Sequence, residues 1–203
     1  MDTKQVEIKR LTFLGYADTL PGEDLFEEVV KVAELCAAAG YTIINGGGPG
    51  VMRAATVGAK KGGGKAIGVT FYPKDIPIFE GRDDDNDVDE IIVTESYLER
   101  TLKLLELGQV HIIFNGGTGT ISEFGMAWGL ARLYFGHHKP LILYGDFWQE
   151  IIFAFTKGMY IRPEERMVFK IVNKPEQVLE AIADFKKMIL AAPHNHKNPI
   201  FEI

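Results

Sequence analysis

A glycine loop between an apolar run and a helical pattern is the part of the sequence best suited to bind an anion. Three glycines follow the largely apolar run 110–114: Gly116, Gly117 and Gly119. Glycines adopt backbone angles closed to other residues and let a ligand approach the main chain with no Cβ in the way. From Thr118 or Thr120 the apolar spacing is helical, so free N–H groups and the positive end of the helix dipole face one small space. That space suits a phosphate.

The carboxylate of Glu123, further along the same helical pattern, has two interpretations. The stretch Thr120-Ile-Ser-Glu123 fits a capping box, in which the glutamate accepts a hydrogen bond at the start of the helix. In the other interpretation the side chain faces the bound ligand. The spacing alone leaves both open.

Arg100 is the second candidate for chemistry, because it falls in the first turn of a predicted helix over 97–107. A cation there opposes the helix dipole, so a nearby phosphate or carboxylate would compensate for it. The alternative is a surface arginine paired with Glu99 or Glu106. The apolar spacing of this helix predicts the following inward residues: Leu98, Thr101, Leu102 and Leu105.

A second glycine loop follows the apolar run 41–44 and leads into another predicted helix. Its candidate ligand-binding residues are Gly46, Gly47, Gly48, Gly50 and Met52. Two strand, glycine-loop and helix units place two helix N-termini at the carboxyl edge of one parallel sheet, where open α/β folds bind ligands. The first predicted strand is followed by a single glycine, Gly15, so the dinucleotide fingerprint is missing and a nicotinamide enzyme is disfavoured.

Strands and helices that must position these residues alternate along most of the chain. We predict strands at 11–15, 41–44, 65–70, 90–94, 110–114, 139–144 and 168–172, the last at an edge. We predict helices at 25–39, from 49 onward, at 97–107, from 118 or 120 to 133, at 147–155 and at 175–190. This order predicts an α/β fold: an open parallel β-sheet flanked by helices on both faces, as a single domain over 1–203.

Composition excludes several classes of function. The chain has 203 residues, a formal net charge of −6 and a pI near 5.4, which argue against nucleic acid as a partner. No apolar run approaches membrane-spanning length and the N-terminus lacks a signal peptide's apolar centre, so we expect no membrane association and a cytoplasmic protein. The single cysteine, Cys36, and the spacing of the five histidines predict no disulfide and no metal site.

Two segments stand apart from the predicted core. The acidic stretch 80–90 contains four aspartates between Asp83 and Asp87. It lacks the glycine and distal glutamate of a calcium loop, so we interpret it as a solvated, mobile loop that could cover the strand ends as a lid. Residues 191–203 are expected to be a loose C-terminal tail, with His194 and His196 as a weaker metal-binding alternative.

At this point the sequence resembles a known family. The stretch from Gly46 to Ala59 is similar to the Gly-Gly-Gly-Pro-Gly-x-Met-x-Ala-Ala segment of the LOG ("Lonely guy") family, whose members were long labelled possible lysine decarboxylases. The stretch from Asn115 to Glu123 resembles that family's Pro-Gly-Gly-x-Gly-Thr-x-x-Glu motif. Between them, Arg100 occupies the place of the family's arginine-bearing helix.

The resemblance implies a Rossmann-like fold, usually a homodimer, that binds a nucleoside 5′-monophosphate and needs no cofactor. The implied activity is phosphoribohydrolase: cleavage of the N-glycosidic bond of adenosine-type or cytokinin monophosphates to free base and ribose 5-phosphate. Glu123 and Arg100 would be the catalytic pair. The implied phosphate-binding residues are Gly116, Gly117, Thr118, Gly119 and Thr120. The implied nucleotide-binding residues are Gly46, Gly47, Gly48, Gly50, Met52 and Asn115.

Departures from the family pattern leave a second function open. Asn115 replaces the usual proline, and Thr101 stands where these enzymes usually carry lysine after the arginine. Related proteins with the same fold bind nucleotide-like ligands without cleaving them, including carriers of the molybdenum cofactor. A carrier or sensor is therefore the alternative, whereas lysine decarboxylase is disfavoured because nothing marks a pyridoxal-phosphate lysine.

Overall fold

Short runs rich in isoleucine, leucine, valine and phenylalanine form the strands of a parallel sheet. The computed structural model describes residues 7–73 and 82–191, and all that follows refers to them. The strands are β1 (Arg10–Leu14), β2 (Thr42–Asn45), β3 (Ala66–Phe71), β4 (Glu90–Thr94), β5 (Val110–Ile113), β6 (Leu141–Tyr144) and β7 (Phe169–Val172). Their order in the sheet is β4-β3-β2-β1-β5-β6-β7, and every neighbouring pair is parallel.

Helices make five of the six connections between successive strands, and crossovers of this kind are the usual link between parallel strands. The described part of the sixth connection, from β3 to β4, contains no helix. The α-helices are α1 (Asp24–Ala38), α2 (Val51–Lys61), α3 (Tyr97–Leu107), α4 (Thr118–Leu133), α5 (Phe147–Gly158) and α6 (Pro175–Ala191). A short 3-10 helix at Pro163–Arg166, which the sequence did not predict, precedes β7.

The helices cover both faces of the sheet and form two hydrophobic cores. On one face, α1, α2 and α6 pack their apolar side chains against the central strands, with Phe13, Phe114 and Phe185 fully buried. On the other face, α3, α4 and α5 pack around Leu104, Phe124 and Trp148. The predicted fold class, an open parallel sheet with helices on both faces, is confirmed.

The order in which strands are added reverses at the centre of the sheet, and this reversal locates the candidate site. From β1 the chain adds β2, β3 and β4 outward on one side, and then returns to add β5, β6 and β7 on the other. The carboxyl ends of β1 and β5 therefore flank a crevice at the point where the strand order reverses. Open α/β sheets bind ligands at such a switch point.

One prediction about α3 is wrong. The side chains of Leu98 and Leu102 are 60% and 37% exposed, whereas the following residues are buried: Arg100, Thr101, Leu104 and Leu105. The inward face is rotated relative to the leucine pattern because the arginine turns toward the sheet, where main-chain carbonyl groups accept its hydrogen bonds.

Parts of two predicted segments lie outside the described residues: positions 80 and 81 of the acidic loop, and positions 192–203 of the tail with both of its histidines. The mobility of the acidic loop stays a prediction. Within the described chain, no helix combines the length and the apolar character needed to cross a bilayer.

Candidate active site

A cleft of about 460 Å³ opens at the carboxyl edge of the sheet, where the strand order reverses. Its walls come from the loop after β1, the end of β3, the inward face of α3 and the first turns of α4. Arg100 and Glu123 lie in this cleft together with Gly46 and Met52. The structure thus brings together residues from both glycine-loop units and from the arginine-bearing helix.

The N-terminus of α4 opens onto the cleft. Gly117 caps the helix without a side chain, and the first intrahelical hydrogen bond runs from the N–H of Ile121 to the Gly117 carbonyl. The N–H groups ahead of Ile121 have no acceptor within the helix. The cleft-lining residues here are Gly117, Thr118, Gly119 and Thr120. Main-chain donors and the positive end of the helix dipole therefore face the cleft, as a phosphate would require.

The position of Glu123 decides between its two interpretations. Because α4 begins at Thr118, Thr120 lies inside the first turn and Glu123 in the second, so the pair cannot form a capping box. The Glu123 side chain lines the cleft and the residue is 7% exposed. The capping interpretation is therefore wrong.

Arg100 is not a surface arginine, because the residue is 5% exposed. Its Nε donates to the carbonyl oxygen of Val69 at 2.9 Å, and its Nη2 donates to the carbonyl oxygen of Gly46 at 3.0 Å. Its Nη1 lies 3.9 Å from Oε1 of Glu123. Two carbonyl groups thus fix the plane of the guanidinium and leave one nitrogen facing the carboxyl group.

The electrostatics of this pair reflect its burial. Desolvation raises the pKa of Glu123 to about 7, and the positive charge of Arg100 partly opposes that rise. Burial also disfavours the charged form of Arg100 and so lowers the pKa of its guanidinium, while Glu123 and Tyr97 act to raise that pKa. A carboxyl group with a pKa near neutrality can hold or release a proton at physiological pH, which suits acid–base chemistry.

Most residues of the second glycine loop face the protein rather than the cleft. A Cβ on Gly46 would lie 1.8 Å from Nη2 of Arg100, so the glycine is what lets the guanidinium approach. The N–H of Gly47 donates to Oδ1 of Asn45. Gly50 has φ +61°, and a Cβ on it would meet the main chain of the loop after β1. Of the described residues predicted here to bind nucleotide, Gly46 and Met52 line the cleft.

The remaining predicted ligand contacts stay predictions. Gly47, Gly48, Gly50, Asn115 and Gly116 are not among the described residues that line the cleft. The carbonyl oxygen of Asn115 accepts a hydrogen bond from the N–H of Tyr16, and a Cβ on Gly116 would lie 2.2 Å from Oγ1 of Thr120. Asn115 thus contacts the loop after β1, and Gly116 packs closely against Thr120 of α4.

Sequence reasoning missed an aromatic and acidic part of the cleft. Tyr16 and Asp18 follow β1, Phe71 ends β3 and Tyr97 begins α3, and all four line the cleft. The spacing of Tyr97 and Arg100, three residues apart on one helix, was a readable signal that they share a face. Tyr16 and Asp18 follow β1 at the point where the strand order reverses, which only the strand order of the folded sheet reveals.

No group of three or more histidine, cysteine, aspartate or glutamate side chains within 7–73 and 82–191 is arranged to hold a metal ion.

Comparison with known proteins places this arrangement in a family. The model of the SLOG cluster4 family matches residues 9–170, which is most of the chain and includes both glycine loops, Arg100 and Glu123. The chain belongs to the SLOG cluster4 family. The predicted resemblance to LOG proteins is thereby confirmed.

Similar proteins carry two kinds of name. The chain is 30% identical to a cytokinin riboside 5′-monophosphate phosphoribohydrolase of Mycobacterium tuberculosis, with 79% of this chain and 86% of the relative covered. It is 33% identical to the protein of the same name from Mycobacterium marinum, with 73% and 77% covered. A solved structure, the molybdenum cofactor binding protein from the phototrophic bacterium Rippkaea orientalis, is 25% identical with a TM-score of 0.67, covering 89% of this SLOG cluster4 chain and 98% of that one.

Proposed function

We propose that this protein is a nucleoside 5′-monophosphate phosphoribohydrolase, which hydrolyses the N-glycosidic bond and releases a free base and ribose 5-phosphate. The observation that carries the proposal is the buried Arg100–Glu123 pair, 3.9 Å apart, in a cleft that also receives the N-terminus of α4. The two mycobacterial relatives, named for this reaction on cytokinin riboside monophosphates, support it. We expect cytokinin or adenosine monophosphates as substrates.

In this scheme the 5′-phosphate binds at the start of α4. The N–H groups from Gly117 to Thr120 would donate to its oxygens, and the hydroxyl groups of Thr118 and Thr120 would add side-chain donors. The phosphate would thus hold the ribose one helical turn from Glu123. The scheme requires no cofactor.

Glu123 would act on the ribose. Cleavage of the glycosidic bond builds positive charge on the sugar, which an ionised carboxylate stabilises. The same carboxylate could accept a proton from the water whose oxygen bonds to the sugar carbon as the bond to the base breaks. Arg100 would orient the carboxylate or the sugar hydroxyl groups with its planar fork.

The base would lie in the aromatic part of the cleft. Tyr16 and Tyr97 are 44% and 42% exposed, and the ring of Tyr97 packs edge-on against Phe71. Exposed aromatic faces bind nucleobases by stacking, with little preference for one base over another. These side chains therefore fit a nucleotide without naming its base.

The test is a panel of nucleoside 5′-monophosphates incubated with the purified protein, with release of free base followed over time. We expect turnover by the natural chain and a loss of at least about 100-fold in Glu123→Gln, because the neutral amide can neither take a proton nor stabilise the positive charge. The variant should still bind the substrate. Turnover retained in Glu123→Gln would contradict the assigned role.

A binding protein that does not cleave its ligand is the second candidate. The fold neighbour from Rippkaea orientalis, named as a molybdenum cofactor binding protein, favours it. So does Thr101, which stands where the LOG enzymes usually carry lysine and is fully buried, its Oγ1 without a hydrogen-bond partner in the described chain. A nucleotide or pterin ligand that binds the protein and is recovered intact would favour this function over hydrolysis.

The proposed active protein is a homodimer in the cytoplasm. Support for the dimer is an apolar groove between α4 and α5, lined by Phe124, Trp128, Phe155 and Met159 among others. The cytoplasmic location is proposed from the sequence.

A further inference from the structure

The turn at Gly46–Gly48 has three successive carbonyl groups, and each accepts a hydrogen bond from a different donor. Nη2 of Arg100 donates to the first at 3.0 Å. The main-chain N–H of Asp83 donates to the second at 3.1 Å, and Nδ2 of Asn86 donates to the third at 2.8 Å. The turn is therefore a connector between the candidate catalytic arginine and the acidic stretch of the sequence.

The acidic segment, residues 82–89, is itself anchored to α2 and β3. Arg53 of α2 pairs with Asp85 at 3.2 Å, and Lys60 pairs with Asp89 at 2.6 Å. The second carboxylate oxygen of Asp89 accepts the N–H of Ala66 at the start of β3. The aspartates thus tether the segment to the protein, rather than merely keeping it solvated.

Asn86 is the link between this tether and the turn. The residue is 6% exposed, and its Nδ2 also lies 3.5 Å from Oδ1 of Asn45. That same oxygen accepts the N–H of Gly47. One amide group therefore contacts two of the acceptors that define the conformation of the turn.

The two carbonyl groups that hold Arg100 differ in how they are supported. Val69 belongs to β3, which pairs with β2 and β4 on its two sides. Gly46 belongs to a loop, and its conformation depends on the contacts just described. A shift of the turn would therefore move one of the two anchors of the guanidinium and change the direction of Nη1, which faces Glu123.

We propose that the acidic segment is a positioning element for the catalytic pair: Asn86 and the main chain of Asp83 hold the turn so that its first carbonyl keeps Arg100 opposite Glu123. The name "catalytic pair" rests on the proposed function. The positioning itself can be measured in the free protein.

The measurable consequence is the ionisation of Glu123. The charged or titratable groups that share its cleft in the described chain are Arg100 and Tyr97 from α3, and Tyr16 and Asp18 from the loop after β1. Arg100 lowers the pKa of Glu123 against the larger effect of desolvation. If the guanidinium loses its position, desolvation is less opposed and the pKa of Glu123 rises further.

The experiment is an NMR titration of the carboxyl carbons of glutamate-labelled full chain without substrate, with the Glu123 signal identified by its absence in Glu123→Gln. In Asn86→Ala we expect the pKa of Glu123 to rise by at least about 0.5 units. The matched control is Asp87→Asn in the same segment, whose side chain is 94% exposed and 4.0 Å from Lys60. That control should leave the pKa of Glu123 unchanged.

A second variant covers the case in which Asn86→Ala does not fold. Arg53→Gln removes the ion pairs to Asp83 and Asp85 from a half-exposed position, and should raise the pKa of Glu123 in the same direction by a smaller amount. An unchanged pKa in the folded variants overturns the positioning role. If the natural chain cleaves no nucleotide but the pKa moves as expected, the proposed function fails and the positioning role stands.

If the protein is an active enzyme, the same change in the pKa of Glu123 should appear in the pH dependence of kcat. We expect the acidic limb of the kcat profile of Asn86→Ala to move to higher pH by the amount seen in the titration. A general loss of stability would lower the amount of active protein without moving that limb.

Discussion

At the scale of the residue, burial in the cleft disfavours the charged form of Glu123. Its burial raises the pKa to about 7, from an ordinary value of 4.5. At neutral pH the folded chain therefore holds a carboxyl group that would be ionised if the chain unfolded. Functional carboxyl groups are commonly kept in this condition, because a pKa near the working pH allows both proton transfer and charge stabilisation.

The stability of the protein should therefore depend on pH through Glu123. The folded state binds its proton more tightly than the unfolded state, so the contribution of this group to stability is greatest below pH 4.5 and declines as the pH rises toward 7. Glu123→Gln removes the titration. We expect its unfolding free energy, relative to the natural chain, to increase by on the order of 2 kcal/mol between pH 5 and pH 8.

Urea unfolding of both proteins across that range provides the measurement. Ser122→Ala, one residue earlier on α4 and exposed to solvent, is the control and should show no such divergence with pH. Parallel pH dependences of the Gln variant and the natural chain would contradict the raised pKa.

At the scale of the element, two glycine loops of similar composition serve different purposes. The loop before α4 leaves Gly117 and Gly119 open toward the cleft. The loop before α2 is folded into the protein, where Gly46 admits the guanidinium of Arg100 and Gly50 packs against the loop after β1. One loop leaves its glycines open to the cleft, and the other makes room for the side chain of Arg100.

This difference predicts that the same substitution costs much more stability in one loop than in the other. Gly50 has φ +61°, and a Cβ there would lie 2.4 Å from the carbonyl oxygen of Ala17, so Gly50→Ala should lower the unfolding free energy by at least about 2 kcal/mol. Gly117 has φ −91° and a Cβ there would meet nothing within 4 Å. Gly117→Ala should therefore cost less than about 1 kcal/mol.

The main effect of Gly117→Ala should be on ligand affinity rather than on stability. The added methyl group of Gly117→Ala stands at the opening of α4, so its affinity for ribose 5-phosphate, measured by calorimetry, should fall about tenfold, a free-energy change of about 1.4 kcal/mol. Equal affinities of Gly117→Ala and the natural chain would argue against a phosphate at this helix.

At the scale of the whole molecule, the face formed by α4 and α5 is apolar and has an open groove of about 340 Å³. Trp128 stacks on Phe124 in its floor, while Met159 and Ile121 at its edge are 60% and 56% exposed. Exposed apolar surface of this kind is typical of contacts between proteins. The homodimer that the LOG resemblance implies stays a prediction, and this groove is the surface where we expect its contact.

We expect the protein to sediment as a dimer at micromolar concentration. Met159→Lys places a charge at the edge of the groove and should shift the equilibrium toward the monomer, because desolvating that charge opposes association. Leu98→Lys is the matched control, since Leu98 is also 60% exposed but lies on α3, away from the groove. A natural chain that is monomeric under these conditions would contradict the prediction.

The order and type of the elements could be read from the sequence because they depend on local patterns. Short apolar runs identified all seven strands, and apolar spacing or a preceding glycine loop identified all six α-helices of the described chain, most of them within one or two residues of their observed ends. A strand and helix alternation of this kind permits few arrangements other than a parallel sheet. The glycine loops and the motif resemblance then predicted a ligand site at its carboxyl edge, and the cleft lies there.

The inward face of α3 could not be read in this way. Its leucines predicted a stripe that includes Leu98 and Leu102, yet Arg100 is buried in their place. Burial of a guanidinium is tolerable where acceptors surround it. Its acceptors, the carbonyl groups of Val69 and Gly46, lie 31 and 54 positions away in the sequence. No local pattern reports acceptors at that separation.

The sequence by itself determined the class of fold, the family motifs and the residue types available for chemistry, since these follow from composition and spacing along the chain. The tertiary structure decided that Glu123 faces Arg100, that burial raises the pKa of its carboxyl group to about 7, and that Asn86 of the acidic segment contacts the turn holding the arginine. The physical reason is that burial and electrostatic interaction depend on distances in space. Those distances are set by the packing of β3, α3 and α4 around the point where the strand order reverses.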